Sequence, residues 1–270
     1  METQTGKLVV EKVGGKSTVT RCFSKYPLKF IIPNKVGSSE TDAVWIYTLT
    51  YGGGIVSGDS ISSELSIGDG CTAVLTTQAS TKVYKALGSK CSEQILEKQI
   101  FRVVSDSSLV VVDWITSGRH ESGEKWDFEL YKSTNHIFLE GDQPLFLDTV
   151  LLEQGSISKI TEHMRDYQVV AMVILLGPKL KQIQIQVQEN VKRMMSEQLY
   201  IPSTALHPHG KTQSNHHFAK PDFIASCSIF GPKEIGIVVR LASTTTESVY
   251  RFLQHQLAGM ETLLGVAPYS

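Results

Sequence analysis

The chain predicts a mainly β fold, a β-helix-like or sandwich-like stack of strands with two helices in its C-terminal half. β-branched and aromatic residues recur with period two through the first half, between Gly, Ser and Asn breaks. The three-to-four spacing of a helix face appears only from Leu180 onward. No linker or low-complexity tract interrupts the chain, so residues 1–270 read as one domain. With 41% hydrophobic residues, a chain of this length buries about 75% of the surface its unfolded form exposes.

Strand patterns fall at Leu8 to Val13, Thr18 to Phe23, Val44 to Tyr51, Thr72 to Tyr84, Leu109 to Ile115 and Ile137 to Leu139. Trp126, Phe128 and Leu130 alternate with Lys125, Asp127 and Glu129 as a half-buried strand would. The first helix is predicted over Leu180 to Gln198, where Leu180, Ile183, Val187, Val191 and Met194 form one stripe and Pro202 closes the segment. Ile183, Ile185 and Val187 also alternate with glutamines, but that alternation stops at Gln188 whereas the helical stripe continues. A second helix is predicted over Glu247 to Leu264, with Thr244 and Glu247 at capping-box spacing and Val249, Leu253, Leu257, Met260 and Leu264 on one face. Between the helices lie a His-rich loop, Leu206 to His217, and an apolar strand, Ile235 to Leu241.

Bulk composition removes several functions. Lys and Arg total 26 against 27 acids, so no net field attracts nucleic acid or an anionic membrane. Cys22, Cys71, Cys91 and Cys227 are far apart with no C-x-x-C pair, which disfavours zinc knuckles and redox motifs. The polar N-terminus and the shortness of the apolar run Val169 to Leu176 make the cytoplasm the expected compartment, without membrane contact.

Several constellations invite chemistry. The cluster Gly52-Gly53-Gly54 with Gly58-Asp59 lacks the Lys and Ser or Thr of a P-loop and is not followed by a helix, so it reads as a sharp turn where backbones approach closely. Thr76-Thr77-Gln78-Ala79-Ser80-Thr81-Lys82 puts polar groups on both faces of a strand, as the wall of a hydrated channel, a partner surface or a solvent edge would. Asp113 interrupts an apolar strand and needs a partner, for which Arg119 is the nearest candidate and Glu124 a further member. Asp113, Ser117 and His120 have hydrolase residue types but no nucleophile elbow. His207, His209, His216 and His217 are weak metal candidates, since no Cys or carboxylate stands at ligand spacing.

Tyr26-Pro27-Leu28-Lys29-Phe30, the Gly52 to Asp59 cluster, Thr76-Thr77-Gln78-Ala79 with Thr81-Lys82-Val83-Tyr84, and Asp113-Trp114 with Gly118-Arg119, Gly123-Glu124 and Trp126 occur in the order of one family's signature. Together they resemble the urease accessory protein D family, also called H, over nearly the whole chain, and Ile115 to His120 resembles its plant members. There is one departure. Family members carry a Pro-x-Pro-like turn and an aromatic residue after the strand ending near Leu96, whereas here Glu97-Lys98-Gln99-Ile100-Phe101 joins the flanks directly. About two strands, roughly a dozen or more residues, are absent, so either neighbours re-pair or two edges stay open.

The resemblance implies a scaffold without catalytic chemistry, a metallochaperone that binds the urease apoprotein and accessory proteins F and G, of which G is the GTPase. It implies transient nickel passing through an internal polar tunnel, with no tightly held cofactor. Asp59, Thr77, Gln78, Lys82, Asp113, Arg119, Glu124 and Trp126 are the tunnel or interface candidates. Rival expectations are a pure adaptor between F and urease, or a small hydrolase using the His loop or the Asp113 hairpin.

Overall fold

Period-two burial marks strands such as 6–13, 94–103 and 130–139, where slipping by one residue would carry a whole apolar set out of the core. The structure, a computed structural model, describes residues 4–33, 41–77, 79–85, 94–119, 122–198, 221–266 and 268–269. Its strands are β1 (Gly6–Val13), β2 (Lys16–Ser24), β3 (Leu28–Ile31), β4 (Ala43–Thr50), β5 (Gly54–Ile55), β6 (Ser60–Ile67), β7 (Thr72–Thr77) and β8 (Thr81–Val83). They continue with β9 (Gln94–Val103), β10 (Ser108–Thr116), β11 (Leu130–Leu139), β12 (Gln143–Glu153), β13 (Val169–Leu176), β14 (Phe223–Phe230) and β15 (Gly236–Ser243). One sheet runs β12-β11-β9-β6-β1-β2 and a larger one β14-β15-β13-β10-β7-β4-β3, with β5 and β8 attached beside β10.

The chain crosses between the sheets with each successive long strand from β4 to β11. Consequently β6, β9 and β11 are parallel neighbours in one sheet, and β4, β7 and β10 in the other. This is β-helical winding inside a two-sheet sandwich, and both features of the expected fold are present. Leu8, Leu65, Phe101, Leu109, Val111 and Ile174 fill the space between the sheets.

The helices α1 (Ile160–Met164), α2 (Lys181–Gln198), α3 (Thr246–Leu257) and α4 (Glu261–Leu264) complete the described secondary structure. Ile183, Val187 and Val191 of α2, with Val249, Leu253 and Leu257 of α3, cover the outer face of the larger sheet over Val110, Val112 and Trp114. That sheet is therefore buried on both faces, which is why β10 and β13 read as nearly continuous apolar runs. No helix among the described residues is long and apolar enough to cross a membrane.

Three details differ from expectation, and a fourth decides between the two outcomes expected for the shortened segment. The single strand predicted over Thr72 to Tyr84 is broken into β7 and β8. Residues 125–129 are irregular rather than a strand, because Trp126 has φ 56° and both Trp126 and Phe128 are buried. The second helix is interrupted by a 3-10 turn at Ala258–Met260, and its cap is Thr245, whose Oγ1 accepts from the Ser248 amide at 3.2 Å. The flanks of the shortened segment re-pair: β9 is one ten-residue strand lying parallel to both β6 and β11. Gly54 lies where backbones crowd, since a Cβ there would meet the Lys82 carbonyl oxygen at 2.5 Å.

Candidate functional site

In β9, Ile95, Phe101 and Val103 point into the sandwich, and their phase carries Glu97 and Gln99 inward with them. The same logic turns Ser133 and Asn135 of β11 inward beside Tyr131 and Ile137, and Asp113 of β10 inward beside Val111 and Ile115. Polar groups placed this way cost stability unless something polar meets them.

What meets them is each other. Across one sheet Ser63, Gln99, Asn135 and Asp148 stand in register on β6, β9, β11 and β12. Across the other, Asp113, Met172 and Arg240 stand in register on β10, β13 and β15. With strands spaced about 4.8 Å apart, the first row spans roughly 14 Å across the stack. The two rows join at one end, where Arg240 Nη2 lies 2.6 Å from Asp148 Oδ1.

Two small cavities follow this polar band. The narrower, about 10 Å³, is lined by Thr48, Thr50, Thr77, Thr81, Glu97 and Gln99, and the wider, about 60 Å³, by Tyr131, Ser133, Asn135, Asp148, Met172 and Arg240. Asp113 lines both. A water needs about 10–15 Å³ of such space, so the narrow cavity has room for about one water and the wider one for a few. Thr48 Oγ1, Thr77 Oγ1, Asn135 Oδ1 and Asp148 Oδ2 are buried without a hydrogen-bond partner among the described residues. Such atoms call for water or a guest that satisfies them.

Burial pushes the Glu97 carboxyl above the ordinary carboxylate range, and the charge of Asp113 pushes it the same way. The Tyr131 hydroxyl, donating to Glu97 Oε2 at 2.9 Å, pulls in the opposite direction. Asp113 is likewise raised by burial, opposed by its hydrogen bond with Asn135. Among the described lining residues only Arg240 carries positive charge, and it belongs to the far end of the wider cavity. The band thus presents carboxyl and amide oxygens, groups that suit hard divalent cations, beside apolar walls from Trp114, Ile115, Val150, Val170 and Ala171. Burial favours the protonated form of Glu97 and Asp113. No three His, Cys, Asp or Glu side chains converge as a metal cage among the described residues.

The structure distributes the sequence candidates unevenly. Thr77 and Asp113 lie in the band. Thr76 faces the helical layer instead and bonds the Tyr269 hydroxyl, which explains how one strand carries polar groups on two faces. Arg119 does not pair with Asp113: its guanidinium binds Glu124 through Nε at 3.0 Å, holding that carboxyl below its usual range, and lies over the Tyr84 ring. Asp59 closes a turn, its Oδ2 accepting from the Val56 amide at 3.0 Å. Lys82 is exposed on β8, and Trp126 is buried with Nε1 donating to the Tyr167 carbonyl at 2.9 Å. Gln78, His120, His207, His209, His216 and His217 lie outside the described residues. Glu97, Gln99, Tyr131, Asn135, Asp148 and Arg240 were not anticipated. Their signal is a polar residue in the inward phase of an apolar strand, as in Ile95-x-Glu97-x-Gln99-x-Phe101.

The family model described as UreD urease accessory protein matches residues 3–102 and 94–270, two segments that overlap on β9. Urease accessory protein D of Arabidopsis thaliana is 62% identical over 292 aligned residues, covering 98% of this chain and 99% of that one. Its counterpart from Oryza sativa subsp. indica is 55% identical over 98% of this chain and 95% of its own. A bacterial relative, Urease accessory protein UreD of Anaeromyxobacter sp., is 24% identical over 98% of this chain and 88% of its own. With ordered motifs and family match running through both sheets, the chain belongs to the UreD urease accessory protein family.

Proposed function

We propose that this chain is a non-catalytic scaffold of urease maturation that conducts Ni²⁺ toward the urease apoprotein, working in the cytoplasm in a complex with accessory proteins F and G. The carrying observation is Asp113, one carboxylate lining both cavities of a polar band that crosses the sandwich. Carboxylates, amide oxygens and water hold a hydrated divalent cation loosely, whereas a closed set of His or Cys ligands would trap it. A site with room for about one water makes the ion exchange some of its hydration for protein oxygens, which Glu97 and Gln99 offer in the narrower cavity, Asp113 in both and Asn135 in the wider.

Asp113→Asn tests the reading, since it removes the charge at constant shape. Co-expressed with urease and the accessory proteins, this variant is expected to yield roughly tenfold less active urease or lower still, given about 1.5–3 kcal/mol for a charged hydrogen-bonding group. Co-purification must show the complex intact. Full activation by an intact Asp113→Asn complex would overturn the conduit and leave an adaptor that only holds the F protein against urease.

A further inference from the structure

Arg240 is the one cation among the described residues lining the two cavities, whose other walls are carboxyl, amide, hydroxyl and apolar groups. It comes from β15 of the larger sheet, and the carboxylate it binds, Asp148, comes from β12 of the other, so the pair spans the mouth of the wider cavity from sheet to sheet. Asp148 is in register with Asn135, and Arg240 with Met172, which is itself in register with Asp113. The ion pair therefore links the two rows, at edge strand β12 of one sheet and at β15, which is itself flanked by Ser226 of β14, in the other.

The two partners differ in freedom. The Asp148 side chain is 14% exposed and the Arg240 side chain 43%. Asp148 lines the wider cavity, and its Oδ2 is buried without a hydrogen-bond partner among the described residues. The guanidinium lies 5.9 Å from the centroid of the Phe146 ring, which packs on Phe230 at 4.7 Å, a platform along which a cation moves without leaving favourable contact.

We propose that Arg240 gates the wide end of the band: seated on Asp148 it bars a divalent cation, and swung outward it frees the Asp148 carboxylate to receive one. The gate rests on reading the band as a cation path. Two positive charges compete for one carboxylate, so the seated arginine both repels the incoming ion and occupies its first ligand. A half-exposed ion pair is weak enough to be displaced without unfolding the mouth.

The test is paramagnetic broadening in the full-length chain, with Mn²⁺ as the probe and the side-chain amide signals of Asn135 and Gln99 as reporters. Arg240→Met keeps the aliphatic stem and removes the charge, and is expected to reach half-broadening at roughly fivefold less Mn²⁺ than the native chain, the scale of one displaced surface ion pair. Arg240→Lys, which keeps the charge, is expected to behave as the native chain does, and a dispersed amide spectrum certifies each variant as folded. Equal Mn²⁺ dependence in native and Arg240→Met chains would sink the gate while leaving the conduit standing. Interior signals untouched by Mn²⁺ in both chains would sink the conduit, and the gate with it.

Discussion

Glu97 occupies the inward phase of a strand whose other inward residues include Ile95, Phe101 and Val103, and that position sets its chemistry. Its folded-state pKa is raised, chiefly by burial and then by Asp113. The folded chain therefore holds a proton that the unfolded chain releases. The associated stability is fully present below the ordinary carboxylate range and is lost as pH climbs toward the raised folded value. Glu97→Gln, which keeps the shape and cannot ionise, is expected to melt above the native chain near pH 8 and to lose that advantage near pH 5. Thermal denaturation at the two pH values measures it, with about 2–4 °C for each kcal/mol relieved. Asp113 was legible as an anomaly in its strand, but its surroundings were not: the adjacent arginine in sequence turned to Glu124, while the true neighbour, Glu97, comes from the opposite sheet.

Among the elements, α3 shows how local pattern and tertiary context divide the decision. Three threonines, Thr244, Thr245 and Thr246, stand at the start of the helix, and spacing to Glu247 favours the first as cap. The fold selects the second: Thr245 Oγ1 accepts from the Ser248 amide, while the Thr244 amide ties the preceding turn to the Asp222 carbonyl. Thr245→Ala should then destabilise by about 1 kcal/mol, and Thr244→Ala by less, as read from urea unfolding midpoints. The apolar stripe of α2 was readable because burial against one sheet face demands it. Residues 125–129 misled because alternation of large apolar residues also arises when an irregular segment plugs a core, as Trp126 and Phe128 do.

At the scale of the molecule, the consequence of the shortened segment is decided by β9. Its parallel registers, Ser60 with Leu96 on one side and Leu130 with Gln94 on the other, leave no unpaired edge inside the sheet, and β7 pairs directly with β10 in the larger sheet. Strand winding of this kind tolerates loss of a turn when the flanks remain in phase. The chain is accordingly expected to unfold in one cooperative urea transition, with far-ultraviolet circular dichroism and tryptophan fluorescence coincident, and to elute without aggregates. Separated transitions or aggregation would mean that the joint at β9 fails. By itself the sequence determined the strand-rich class, the C-terminal helices and the family motifs, because these depend on residue type and local period. Only the tertiary structure decided which inward polar residues face one another: Asp113 and Glu97 are joined by the winding of successive strands onto opposite sheets, and Asp148 with Arg240 by edge strand β12 of one sheet closing on β15 of the other. Contacts between sheets depend on register and crossover, quantities that no stretch of sequence short enough to show a motif contains.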